Sequence, residues 1–393
     1  MITVNDFCKK EYGEKLYKIS FDAGFTCPNR DGKVGSRGCI FCSEGGSGDF
    51  AVRLYECSGK KSTAAGKIDL SNIEEQIENA KQKVSSKYKG DKYIAYFQAF
   101  TNTYADADTL RKLYVPIIQR DDIAVLSIAT RPDCINEDTA EVLKELNEIK
   151  PVWVEFGLQT TKKATIEYIR RGYETKVYDE AVKRLNKIGI HTITHVILYL
   201  PGESKKDMLR TVSHCVKAGT KGIKLQLLHV LKGTDLEKEY QEHPEKFMIP
   251  TLEEYCQTVK ECVEVCPDNM VFHRLTGDAP KKLLIEPKWS ADKKNVINTL
   301  SDVLNPSGPW YVYMLKCGDG SLYTGSTDNV EKRFRNHSTG RGAKYTAAHL
   351  PVEIVYTEEL PSKRLALKRE YAIKQLSRKE KDKLIEKQKT SVN

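Results

Sequence analysis

The chain has 393 residues, 40% of them hydrophobic, which suits two or three domains with real cores. It holds no run of about 18 apolar residues, so no membrane span is expected. The opening MITVNDFCKKEYGEKLYKIS lacks the apolar stretch of a secretory signal, so the expected compartment is the cytoplasm. Lys and Arg number 63 against 54 Asp and Glu, a net charge of +9. The excess is uneven: residues 309–393 hold 17 basic against 10 acidic residues, a net of +7, and the remainder holds 46 against 44. A small basic unit behind a near-neutral larger one points to a nucleic-acid partner, although charge alone describes a solvated basic face equally well. Eleven cysteines in a chain of this kind read as metal ligands and buried thiols, not as a disulfide framework.

The predicted elements follow a regular order. β-Branched and aromatic runs at Tyr17–Phe21, Tyr93–Phe97, Val125–Thr130, Val152–Gly157, Thr192–Leu198 and Gly222–Leu228 predict six strands. Helical spacing lies between most of them, at Ile73–Val84, Glu137–Leu146, Tyr178–Ile188 and Lys206–Val216. This alternation predicts an α/β fold of parallel β/α units, closed into a full or partial barrel or opened as a doubly wound sheet. Either arrangement puts an active site at the C-terminal ends of the strands. Ser58–Gly66 reads as a mobile loop. Val296, Ile297, Leu300, Val303 and Leu304 share a helical spacing that stops at Asn305-Pro306-Ser307-Gly308-Pro309. The expected division is therefore a first domain at 1–304, a linker at 305–309 and a second domain at 310–393.

Cys27, Cys39 and Cys42 follow the first predicted strand, the last two as Cys-Ile-Phe-Cys. Three thiolates can hold three irons of a [4Fe–4S] cube and leave the fourth iron open to a ligand. A structural zinc site is the competing reading and needs a fourth ligand, for which Cys8 and Cys57 are available. Other segments fall at strand ends: Phe97–Asn102, Thr130–Asp133, Glu155–Gln159 and Leu198–Glu203. Each is weak alone, and together they surround one barrel mouth.

The cysteine triad with Phe41, together with TRPDC (Thr130–Cys134), EFGLQ (Glu155–Gln159), HVILYLPGES (His195–Ser204) and HVLKGTDL (His229–Leu236), resembles the radical S-adenosylmethionine superfamily. More narrowly it resembles the branch near the catalytic subunit of Elongator, which shares the long gap between the first two cysteines. The resemblance covers about residues 1–290 and implies a partial (βα)6 barrel. It implies that Cys27, Cys39 and Cys42 bind a [4Fe–4S] cluster whose open iron chelates S-adenosylmethionine. One electron, from a donor such as flavodoxin or ferredoxin, then cleaves the sulfonium bond to give a hydrogen-abstracting radical. Phe41 and the backbone around Leu200-Pro201-Gly202 would lie near the adenine. Gln98, Thr130 and Gln159 are candidates for contacts to methionine and ribose, or else shape turns at the rim.

After Pro309, alternation at Tyr311–Lys316 and Ser321–Thr324 around Gly318-Asp319-Gly320 predicts a β-hairpin. A helix follows with Asp328 as the expected cap, and Arg333 and His337 share one of its faces. This segment resembles the GIY-YIG nuclease superfamily. Tyr313 and Tyr323 stand at its two motifs, and ten-residue steps lead from Tyr313 to Tyr323 and on to Arg333. Glu370 lies on a later helix beside apolar residues. The resemblance implies a small α/β domain in which Glu370 binds a divalent metal such as Mg²⁺. Tyr313, assisted by His337 or Tyr323, would activate water, and Arg333 would steady the phosphate. Ser326 stands where some active relatives carry Lys, which leaves nuclease and nucleic-acid-binding module both open.

The expected function is a radical enzyme acting on nucleic acid, with tRNA favoured and a wobble uridine side chain as target. The alternatives are a radical enzyme for a protein or small molecule with an independent endonuclease, and a binding protein with a structural cluster.

Overall fold

Strands form along the predicted runs because buried parallel strands need apolar residues on both faces. Tyr93–Phe97 is buried at all five positions. The computed structural model describes residues 1–43, 51–54, 73–86, 88, 90–306 and 308–391, so Cys57 and the Ser58–Gly66 loop lie outside the described residues. In chain order the first strands are β1 (Ile2–Thr3), β2 (Tyr17–Asp22), β3 (Val52–Arg53), β4 (Tyr93–Phe97), β5 (Ile123–Thr130) and β6 (Val152–Gln159). They are followed by β7 (His191–Leu198), β8 (Gly222–Leu227), β9 (Val230–Leu231), β10 (Val271–Arg274) and β11 (Leu284–Glu286). β9 and β11 pair as an antiparallel ribbon. The other nine form one parallel sheet in the order β1-β10-β8-β7-β6-β5-β4-β2-β3.

The six predicted strands stand side by side in one direction, from β2 through β4 to β8. A doubly wound sheet would reverse its progression at an internal switch point, and none occurs among these six strands. Among the described residues β1 and β3 end the sheet without pairing to each other, which makes the barrel partial. β1 and β3 are two residues long, too short to leave a periodic signal. The helix Ala107–Ile118 carries Pro116 in its interior, which hides it from pattern reading. Helix starts are set locally, as where Ser204 and Asp207 form a reciprocal capping box at Lys205–Ala218.

A charged layer crosses the interior of this sheet. The buried Glu155 carboxylate of β6 accepts from Lys18 of β2 at 2.7 Å, Ser127 of β5 at 2.8 Å and His195 of β7 at 2.7 Å. Lys224 of β8 also pairs with it. The Tyr96 ring of β4 lies 4.4 Å from Lys18 Nζ and 4.7 Å from Lys224 Nζ. Burial pushes Glu155 upward, but the charges of Lys18 and Lys224 outweigh it and hold the carboxyl well below the usual range. Burial and the Lys224 charge hold His195 down at about 4, so the ring is neutral. It donates from Nε2 to Glu155 while Nδ1 accepts from Gln226 at 3.2 Å.

Packing divides the chain into Met1–Thr251 with Glu261–Ala291, and Leu252–Lys260 with Asp292–Asn393. The helix Lys293–Leu304 falls in the second unit, where Asp302 pairs with Arg364 and Thr299 accepts from it at 3.2 Å. There β12 (Trp310–Cys317), β13 (Leu322–Thr327) and β14 (Val352–Leu360) form an antiparallel sheet in the order β13-β12-β14. Asp319 closes the hairpin turn by accepting from the Ser321 amide and hydroxyl at 3.0 and 2.6 Å. The helix Val330–Ser338 is capped by Asn329, which accepts from the Lys332 amide at 2.8 Å, and not by Asp328. β13 runs on to Thr327, whose hydroxyl takes the Asn329 amide and moves the helix start one residue later. Val312, Met314, Tyr356, Ala366 and Ile373 form the core of this unit. No helix among the described residues is long and apolar enough to cross a membrane.

Breaking the interior layer leaves buried charge unpaired. Glu155→Gln is expected to lower unfolding free energy by about 3–5 kcal/mol, with part recovered on adding Lys224→Met. Because the folded carboxyl is depressed, its stabilisation is present above the ordinary carboxylate range and fades as pH falls through the folded value. Denaturant unfolding followed by circular dichroism checks this, and wild-type stability for Glu155→Gln contradicts it.

Candidate functional site

The cysteine loop leaves the C-terminal end of β2. The Arg30 and Asp31 amides donate to the Cys27 carbonyl at 2.7 and 3.2 Å, and the Cys42 amide to the Cys39 carbonyl at 3.0 Å. Asn29 ties the loop down, its side-chain amide donating to the Arg170 carbonyl at 2.5 Å and reaching Cys39 Sγ at 3.6 Å. Gly35 packs so closely that a Cβ there would lie 2.5 Å from Asn29 Oδ1. Arg30 donates to the Cys42 and Ser43 carbonyls at 3.2 and 2.6 Å.

The three thiols are electrostatic neighbours. Burial pushes the Cys39 thiol up to about 12, the Cys42 and Cys27 thiolates add to the rise, and Arg131 opposes it. Burial also raises Cys42, against the charge and hydrogen bond of Arg30. Among the described residues, no three His, Cys, Asp or Glu side chains close on a single metal ion. Three thiols that feel one another at this rim suit a cube in which each thiolate would take its own iron. Arg30 and Arg131 place positive charge where the thiolates need it. Sequence reasoning missed Asn29, Arg30 and Arg131, as well as Cys134, whose thiol is raised to about 12 by burial and also feels Cys27. None of them carries a spacing signal.

The other rim residues divide. The Gln98 amide donates to the Phe21 carbonyl at 2.9 Å, which sets Gln98 beside the end of β2. Thr130 is buried, with its hydroxyl 2.6 Å from that of Thr103. Phe41 packs on the apolar cluster that holds Ile40, Ile169 and Leu200. Pro201 is buried and Gly202 is exposed with φ +77°, its carbonyl accepting from Lys162 at 2.6 Å. Gln159 folds back over Gly157, where a Cβ would meet its Nε2 at 2.5 Å. Gln159 Oε1 is buried with no hydrogen-bond partner among the described residues. Burial pushes the Glu203 carboxyl up to about 7, against a hydrogen bond from Thr160. An unpartnered acceptor at this rim fits S-adenosylmethionine, whose ammonium and ribose hydroxyls are donors. A cavity of about 970 Å³ opens beside the cysteine loop, with Arg37, Lys163, Arg170 and Lys176 in its lining against Glu167 and Glu174.

The second unit gathers Tyr313, Tyr323, Arg333 and His337 around one phenol. Tyr313 OH lies 2.9 Å from His337 Nε2 and accepts from Arg333 Nε at 3.2 Å. The Tyr323 ring centre is 5.1 Å from that of His337. Gly325 is required by this packing, since a Cβ there would lie 2.6 Å from Tyr313 OH. Burial pushes the Tyr313 phenol up while the Arg333 hydrogen bond draws it down. Burial and the Arg333 charge lower His337 below its usual value, which keeps it a neutral acceptor. Glu370 accepts from Ser326 at 2.5 Å and from Lys374 at 2.5 Å. Both Glu370 oxygens thus carry donors, and a divalent cation bound there would take the place of the Lys374 ammonium.

Protein-family models for the Radical SAM superfamily, the Radical_SAM C-terminal domain and the GIY-YIG catalytic domain match residues 32–215, 220–305 and 309–383. The uncharacterized protein YtqA of Bacillus subtilis is 39% identical over 308 residues, covering 78% of this chain and 90% of that protein. A UPF0213 protein of Bacillus licheniformis is 54% identical over 76 residues, 19% of this chain and 78% of its own. Among solved structures, archaeal Elp3 of Methanocaldococcus infernus aligns with a TM-score of 0.49 at 14% identity, covering 75% of this chain and 64% of that one. With its cysteine triad at the mouth of a partial parallel barrel, the chain belongs to the radical S-adenosylmethionine superfamily of enzymes and carries a GIY-YIG domain behind it.

Proposed function

We propose that this enzyme uses radical chemistry to modify a nucleic acid, with tRNA as substrate and a wobble uridine side chain as target. The observation that carries the reading is the fusion of a radical SAM domain to a GIY-YIG domain within a segment of net charge +7. The cavity beside the cysteine loop supports it, because four basic side chains against two acidic ones suit a phosphate backbone. The Elongator-like motifs favour the wobble position, whose unpaired base enters a pocket without opening a duplex.

In this reading Cys27, Cys39 and Cys42 hold the [4Fe–4S] cluster. Phe41, Pro201 and Gly202 lie by the adenine of S-adenosylmethionine, and Gln98, Thr130 and Gln159 serve its methionine and ribose. When bound, cluster and cofactor supply one-electron cleavage of a sulfonium bond and so a hydrogen-abstracting radical. The electron comes from a flavodoxin- or ferredoxin-like donor, and the compartment is the cytoplasm. The C-terminal unit binds nucleic acid and carries a hydrolytic layout. Tyr313, relieved of its proton by His337 with the Tyr323 ring tilted beside it, activates water, Arg333 steadies phosphate charge, and Glu370 holds Mg²⁺.

Mass analysis of tRNA nucleosides from cells with and without the protein is expected to show one wobble uridine derivative replaced by its precursor. Identical wobble nucleosides would end the tRNA reading. For the second unit, Mg²⁺-dependent cleavage of DNA and RNA is expected to fall about 10²- to 10³-fold in Arg333→Ala and to vanish in Glu370→Ala. Cleavage equal to wild type in Glu370→Ala would remove the metal from Glu370.

A further inference from the structure

The buried ring of His337 has a second partner that no motif announces. Its Nδ1 lies 2.6 Å from the hydroxyl of Thr346, on the short helix Lys344–Ala348. Both residues are fully buried, so water does not mediate the contact or replace it. The Thr346 hydroxyl is 3.0 Å from the Ala343 carbonyl, which can only accept. Donating there, the hydroxyl must accept from His337, which puts the ring proton on Nδ1. The other end of the chain agrees. The Tyr313 oxygen accepts from Arg333 Nε at 3.2 Å, so its own proton points at His337 Nε2, 2.9 Å away. Every proton in the run Ala343–Thr346–His337–Tyr313–Arg333 then has one donor and one acceptor. Gly342 completes the arrangement, since a Cβ at that position would fall on the His337 ring.

We propose that Thr346 is a positioning residue that fixes His337 in the Nδ1-protonated tautomer, so that Nε2 is the base for the Tyr313 phenol. The Tyr313 O–H bond breaks, its proton passes to Nε2, and the electron pair stays on the phenolate oxygen facing Arg333. The resulting imidazolium still donates from Nδ1 to Thr346, so the hydroxyl need not turn. The catalytic use of this relay rests on the hydrolytic reading of Tyr313, whereas the tautomer itself does not.

The test uses the full chain with ¹⁵N-labelled histidine rings and long-range proton–nitrogen correlation, with His337 assigned through His337→Gln. Wild type is expected to show a protonated Nδ1 and a bare Nε2 at neutral pH. Thr346→Val keeps the shape, removes the acceptor and is expected to shift the ring toward the Nε2-protonated form, and Thr346→Ser to restore it. A wild-type ring protonated on Nε2, or a tautomer unmoved in Thr346→Val, would overturn the proposal, and the wild-type result needs no variant to fold. In Mg²⁺-dependent cleavage, Thr346→Val is expected to lose about 10²-fold in kcat with KM held and Thr346→Ser to recover it. The expected tautomers in a wild type that cleaves neither DNA nor RNA would sustain the role of Thr346 and sink the hydrolytic reading instead.

Discussion

Thiolates are costly to desolvate, and the mouth of the first sheet carries three half-buried cysteines side by side. Desolvation, with repulsion between the neighbouring thiolates, raises Cys39 and Cys42, so metal binding there must displace protons. The loop answers with fixed positive charge. Arg30 comes from the loop itself, and Arg131 from the end of β5, oriented by two hydrogen bonds to Asp133 at 2.9 and 2.7 Å. The Asn29 amide reaches Cys39 from the same loop. These groups act only if the loop is held to the rim, and that is the service of the Asn29 bond to the Arg170 carbonyl and of the glycines packed beneath it.

The sheet under this rim is held by a second concentration of charge. Glu155 gathers cations and donors from β2, β5, β7 and β8, so strands far apart in the chain meet on one carboxylate. Such a layer contributes little net stability against an apolar core of equal volume, yet the loss of one partner is costly. Register is what it confers: a slip of one residue in any strand would turn its charged side chain outward. That register carries the strand ends, and with them Gln98, Thr130 and Gln159, to a common rim.

The legible part of the fold was the part with short-range pattern. β-Branched runs alternating with helical spacing found all six central strands, and their one-way order settled the choice that pattern left open between barrel and doubly wound sheet. In the second unit, the resemblance to the GIY-YIG superfamily, with its ten-residue steps, nominated Tyr313, Tyr323, Arg333 and His337, which do gather around one phenol. The illegible part came from contacts across the chain. Lys18 and Lys224 stand 137 and 69 positions from Glu155, and each read alone as a charge interrupting a strand. Asn29, Arg131 and Thr346 are ordinary residues of loops and short helices until the fold supplies Cys39 or His337 as a neighbour. β14 escaped because Glu353, Glu358 and Glu359 dilute an otherwise plain strand run. The Asp328 cap failed by one residue, because Thr327 captured the amide that decides where the helix begins.

The link proposed between the two units is a common nucleic-acid substrate class. The most direct test is anaerobic reconstitution of the full chain with iron and sulfide, then reduction with S-adenosylmethionine and assay for 5′-deoxyadenosine, with and without bulk tRNA. The account predicts a product that is lost in Cys27→Ala, Cys39→Ala and Cys42→Ala and that rises when tRNA is added. No product from a well-formed cluster, or a yield indifferent to tRNA, would contradict it.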